Sequence, residues 1–206
     1  MHLAMLALST IALGLVAATS TMANPMARAS SHPACNGLGP GAMDTTGNFT
    51  LGAINTTLPN ANTTGAPIVV VIGGAYILID TYQLGTWAQY SYPLFYPNLA
   101  LQNGTIIISG DSANAKPAQA GNVFAGNPPQ WAVRVNGTLN PADGAQVYCA
   151  VPSSTTNALL AVNGDTDSFS LCQSAFGENV VYYKAAPGHN YDFDSCYPVK
   201  LQLNFE

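Results

Sequence analysis

Pro67-Ile68-Val69-Val70-Val71-Ile72-Gly73-Gly74-Ala75-Tyr76-Ile77-Leu78-Ile79-Asp80 carries the strongest structural signal in this chain. Two apolar runs, the first dense in β-branched residues, flank a glycine pair. β-Branched side chains lose rotamer freedom in a helix and pack well on a pleated surface, so each run predicts a strand and not a buried helix. Gly73-Gly74 would supply the positive φ of a tight turn, and the whole stretch predicts a β-hairpin.

The same pattern extends in both directions. Asn48 to Ile54 alternates, with Phe49, Leu51 and Ala53 on one side. Asn-Gly recurs after strand-like runs: Asn103-Gly104 between Leu99-Ala100-Leu101 and Ile106-Ile107-Ile108, Asn136-Gly137 after Trp131 to Val135, and Asn163-Gly164 after Leu159 to Val162. Each predicts a hairpin or bulged turn. Further strands are expected at Ala145 to Val151, Asn179 to Tyr183 and Val199 to Phe205, with Trp131 and Tyr182-Tyr183 as strand residues burying one face. No stretch after residue 23 keeps a 3.6-residue apolar period over three turns. Instead, Gly 19 and Pro 14 punctuate the chain into short segments. Residues 48–206 therefore predict a single all-β domain, an antiparallel β-sandwich or barrel, with a trefoil-like arrangement as the alternative. Residues 24–47, without periodicity, read as a flexible leader tied down at Cys35.

Of 206 residues only 7% are charged, with Lys+Arg 5 and Asp+Glu 10; an ordinary soluble domain has ~25%. Solubility must rest on Asn, Thr, Ser and Gly. The formal charge of −5 and the scattered cations Arg28, Lys116, Arg134, Lys184 and Lys200 form no stripe to neutralise phosphates, which argues against nucleic acid as a partner. Residues 1–23 read as a secretory signal peptide: an uncharged apolar run from Leu3 to Ala18 precedes small residues, with cleavage expected after Ala18, Ser20 or Ala23. That run falls short of the ~20 residues a membrane span needs, and the end at Val199 to Glu206 has no hydrophobic tail for a lipid anchor. A secreted or wall-held product without membrane attachment is expected.

Cys35, Cys149, Cys172 and Cys196 form an even set at wide spacings, which predicts two disulfides and not a zinc ribbon or redox pair. Of the three possible pairings we favour Cys35 with Cys149 and Cys172 with Cys196. Five sequons, at Asn48, Asn55, Asn62, Asn103 and Asn136, are candidate N-glycosylation sites.

Candidate chemistry is thin. Ile108-Ser109-Gly110-Asp111-Ser112 is similar to the nucleophile turn of GDSL-type hydrolases, but that chemistry needs an Asp-x-x-His pair, and Ala186 stands three residues before His189. Ser112 with His189 is therefore the least favoured reading, that of an extracellular serine hydrolase. His189, Asp192 and Asp194 place one imidazole near two carboxylates, but an acidic turn before Cys196 explains them as well, and no metal site or cofactor is expected. Asp80 with Asp111 or Glu178 are available for glycoside hydrolysis, though nothing selects a pair. The densest aromatic segment runs from Trp87 through Tyr90 and Tyr92 to Tyr96. Flat rings beside amide side chains suit a polysaccharide-binding face, so these four are candidate glycan-binding residues. Cross-strand packing is the competing explanation.

The order of segments, Phe49 to Ile54, Leu101-Gln102-Asn103-Gly104-Thr105-Ile106, Trp131-Ala132-Val133 with Gly137-Thr138-Leu139, Tyr148-Cys149-Ala150-Val151-Pro152, Cys172-Gln173 and Cys196, resembles secreted cell-wall proteins of filamentous fungi. These are the relatives of the phialide-development protein, a group that includes IgE-binding antigens. The resemblance implies a non-enzymatic, wall-associated structural glycoprotein of a fungus with no established catalytic residues, and cell-wall polysaccharide is the candidate partner. A carbohydrate-binding, lectin-like module is the alternative.

Overall fold

A computed structural model describes residues 32–75, 78–87, 98–109, 118–134, 139–154 and 157–205. The protein is all-β and antiparallel, with twelve strands among the described residues: β1 (Thr46–Asn55), β2 (Ala66–Ala75), β3 (Ile79–Thr86), β4 (Asn98–Gln102), β5 (Thr105–Ser109), β6 (Gln119–Ala120), β7 (Gln130–Arg134), β8 (Tyr148–Val151), β9 (Leu159–Val162), β10 (Phe169–Ser174), β11 (Asn179–Tyr183) and β12 (Tyr191–Phe205). Among the described residues no helix is long and apolar enough to cross a membrane.

Six strands close on themselves in the order β1-β2-β3-β11-β10-β12, and β1 completes the ring by pairing with β12 from Phe49↔Phe205 to Asn55↔Val199. Closure removes the edges of these six strands, so a barrel, and not an open sandwich, resolves the architecture. The barrel takes the first three and the last three strands. The middle strands lie outside it: β4-β5 on β1, β7-β6 on β3 and β8-β9 on β12. A three-fold repeat would distribute barrel strands evenly along the chain, so the trefoil alternative does not hold.

Period-two alternation builds the core. Phe49, Leu51 and Ala53 of β1, Ile68 and Val70 of β2, Leu84 of β3, Val181 and Tyr183 of β11, Phe169 and Leu171 of β10, and Val199, Leu201 and Leu203 of β12 all face one buried cluster. The outer strands extend it: Trp131 is wholly buried, not half-buried, donating from Nε1 to Ile106 O at 3.1 Å and stacking on Tyr148.

The predicted hairpin forms, but its turn is elsewhere. β2 continues through Gly73 and Gly74 to Ala75, pairing Ile72↔Tyr82 and then Gly74↔Thr81. Gly73 is thus the extra residue of a β-bulge, and neither glycine is among those with positive φ. Strand pairing extended past the glycines because a bulge absorbs one unpaired residue without ending the ladder. The Asn-Gly prediction holds where it can be seen: Asn103 and Gly104 (φ 48 and 75) join β4 to β5, and Asn163 and Gly164 (φ 51 and 77) turn between Val162 and Asp165, both with the two positive φ values of a type I′ turn. Asn136-Gly137 lies outside the described residues.

The disulfides are Cys35–Cys149 and Cys172–Cys196, as favoured, and they are compatible with an extracellular protein. The chain joins the fold before residue 48. Pro33–Cys35 forms a 3-10 turn capped by His32, Ala42 is buried, and Met43 bridges Ala150. The last strand also begins earlier than expected, at Tyr191, since its polar first half carries no apolar alternation.

Candidate functional site

On β11, Val181 and Tyr183 point into the barrel, so Val180 and Tyr182 point out. Outside they join Cys172 in a second small core, with Tyr191 and Cys196 packed against it. The Cys172–Cys196 bond lies within this outer layer. Tyr182 and Tyr191 are in ring contact, 4.0 Å between centroids, and the Tyr191 hydroxyl donates to Ala186 O and accepts from Ala186 N, which ties down the connection from β11 to β12. His189, carried on that connection, stacks on Tyr191 at 5.8 Å with the planes 11° apart. Gly126 makes room for the imidazole. A Cβ at its φ of +76° would fall 2.1 Å from His189 Cε1, and its N–H donates to Tyr183 O at 2.7 Å.

These contacts wall a cavity of about 200 Å³ on the outside of the barrel. Its floor is Gly73 of the bulge with Gln83 of β3, and its sides are Tyr182, Tyr191 and His189. Asn127 and Gln130 face it from the β6–β7 connection and β7; Ser174 and Phe176 face it from the β10–β11 turn. That turn is fixed by Gly177 N–H donating to Ser174 O, and Ser174 Oγ accepting from the N–H groups of Phe176 and Glu178. It holds Phe176 at the lip, 82% exposed. Burial, with Tyr191 and Glu178 adding to it, pushes the Tyr182 hydroxyl up to about 12, so it remains a protonated hydroxyl at physiological pH. The lining is amides, hydroxyls and rings, without a carboxylate or ammonium among the described residues.

The residues singled out in the sequence are scattered by comparison. Trp87, at the end of β3, is 51% exposed and borders a separate shallow cleft with Thr50, Thr64 and Asn204. Tyr90, Tyr92 and Tyr96 lie outside the described residues, as do Asp111, Ser112 and Asn136. Asp192 and Asp194 sit in β12 and not in a turn; Asp192 Oδ1 accepts from Asp194 N–H, and among the described residues no group of three or more His, Cys, Asp or Glu converges to hold a metal. Asp80 and Glu178 are far apart. Val180 is opposite Gly85, five residues along β3 from Asp80, and Glu178 lies further in the same direction, so the two are separated by roughly 16 Å or more at ~3.3 Å per residue. Retaining or inverting pairs need ~5 to 9.5 Å.

Of the cavity's residues, sequence reasoning had reached His189, as a candidate base, Tyr182, as a half-buried strand residue, and Gly73, as a turn glycine. Gln83 carried no signal: between inward-facing Tyr82 and Leu84 it reads as an ordinary solvent-facing position, and only the covering loops bury it. The comparisons with protein-family models, curated proteins and solved structures returned no match.

Proposed function

We propose that this chain is a non-enzymatic, secreted, cell-wall-associated structural glycoprotein of a fungus. The observation that carries the reading is the way the 55–65 loop presents two sequons. Thr57 Oγ1 donates to Asn55 Oδ1 and Thr64 Oγ1 donates to Asn62 Oδ1, at 3.0 and 3.1 Å, while each Oδ1 also accepts backbone N–H groups of its own turn. This leaves each Nδ2 outside the turn's hydrogen bonds. Asn48 and Asn103 are also exposed. Glycans there would hydrate the surface of a chain that has only 15 charged residues (5 basic and 10 acidic), and the disulfides suit the compartment. The scarcity of ionisable groups supports a role in contact over turnover. Expression in a filamentous fungus, wall fractionation, and mass measurement before and after enzymatic deglycosylation test the reading. An unshifted mass, or hydrolysis of ester or glycan substrates by the pure protein, rejects it.

The second reading is a carbohydrate-binding module. Half-exposed Trp87, beside the hydroxyls of Thr50 and Thr64, favours it. On that reading Trp87→Ala abolishes retention on chitin or β-glucan.

A further inference from the structure

We infer that the cavity floored by Gln83 binds the end of a neutral saccharide chain. The inference rests on the carbohydrate-binding reading and moves its centre from Trp87 to the opposite end of the β11 contact. Gln83 is the decisive group. Its residue is 7% exposed, yet no hydrogen bond joins its amide to another described residue, and it lines the cavity. What remains exposed of the residue opens into the cavity, so the amide is hydrated there and a ligand hydroxyl can take the place of that water. A primary amide offers two donors and two acceptor lone pairs, and a sugar hydroxyl is both donor and acceptor, so the two chemistries match.

The bulge makes the space. A Cβ on Gly73 would stand 2.9 Å from Gln83 Oε1, so glycine at this position lets the amide lie flat against β2. Gln130 and Ser174 add further polar atoms around the same space, and the exposed ring of Phe176 offers a flat apolar face for sugar C–H groups. Charge decides the ligand class. Phosphates and uronic acids would find no lysine or arginine in the lining, and a hydrocarbon would displace the water that hydrates the Gln83 amide without replacing its hydrogen bonds. The cavity of about 200 Å³ has room for one sugar ring, which makes a chain end the ligand proposed.

The test uses the full secreted chain with chitotetraose and laminaritetraose as probes, read by calorimetry, and N-acetylglucosamine and glucose to separate free sugar from a chain end. The wild type should bind at least one tetraose more tightly than its monosaccharide. Gln83→Leu should weaken that binding at least tenfold, and so should Gly73→Ala, which pushes on the amide without touching the core. Trp87→Ala should leave it unchanged, and circular dichroism melts of all three should report folded protein. Binding that survives both cavity substitutions, or is lost with Trp87→Ala alone, overturns the assignment. So does a wild type that binds neither tetraose at millimolar concentration. Wall fractionation of Gln83→Leu separates the two levels: a variant that loses the tetraose but stays in the wall leaves the structural reading standing, and loss of wild type from the wall with the tetraose still bound removes that reading and keeps this one.

Discussion

Tyr148 is fully buried against Trp131, and its hydroxyl has no hydrogen-bond partner among the described residues. Burial alone holds that hydroxyl far above the usual phenol range. Removing an unpaired buried polar group while keeping the ring relieves its desolvation, so Tyr148→Phe should leave stability unchanged or raise it by about 1–2 kcal/mol. Urea unfolding at neutral pH is the check, and a loss of stability would mean that the hydroxyl is satisfied. Asp165 behaves in the opposite way. Burial would raise its pKa, but the Ser168 hydroxyl, the Asp167 N–H, Lys184 and the Ser168 N–H outweigh burial and hold it below the usual carboxylate value. A depressed folded pKa contributes stability that is present above the unfolded value near 3.9 and is lost as pH falls through the folded value. Unfolding midpoints measured from pH 6 down to pH 2 should therefore fall more steeply for wild type than for Asp165→Asn.

β1 and the loop that follows it depend on backbone contact at glycine. A Cβ at Gly52 would stand 1.8 Å from Thr64 O, so the 55–65 loop folds back onto β1 only because that position has no side chain. Asn60 closes the loop's neck by pairing its amide with the backbone of Asn55, at 2.8 and 2.9 Å. Since the obstacle is a carbonyl and not a flexible side chain, Gly52→Ala should cost about 1–3 kcal/mol and open the loop to protease between residues 56 and 64. Limited proteolysis followed by mass mapping reads this directly. The predicted strands held wherever one face is buried. They slipped where the pattern was broken: the Gly73-Gly74 stretch was misread as a turn because a bulge and a turn share the same residue, and the first half of β12 was missed because Asp192, Asp194 and Ser195 are solvent-facing or hydrogen-bonded locally. No local signal separates these cases.

The fold as a whole joins distant parts of the chain. The barrel seam pairs β1 with β12, and Cys35–Cys149 spans 114 residues, so closure is a long-range event. In the chain-entropy picture that bond restricts the unfolded state by about 5 kcal/mol and Cys172–Cys196, across 24 residues, by about 3.5 kcal/mol. Replacing Cys35 and Cys149 together by Ala should therefore lower unfolding free energy more than replacing Cys172 and Cys196. The second pair has a local consequence that the first does not. Cys172 and Cys196 pack with Tyr182 and Tyr191, so their loss should also weaken tetraose binding at the cavity, measured by calorimetry on folded protein.

Alternation of apolar residues, Asn-Gly turns and an even cysteine count were enough to determine an antiparallel all-β chain with two disulfides, because each is a local property of residues next to one another. Which strands meet at the barrel seam, that Gly73 is a bulge, and that Gln83 is buried beneath loops from three other connections were settled only in three dimensions. Those outcomes depend on contacts between residues tens to more than a hundred positions apart, and a side chain that looks solvent-facing on its own strand becomes buried when another segment covers it.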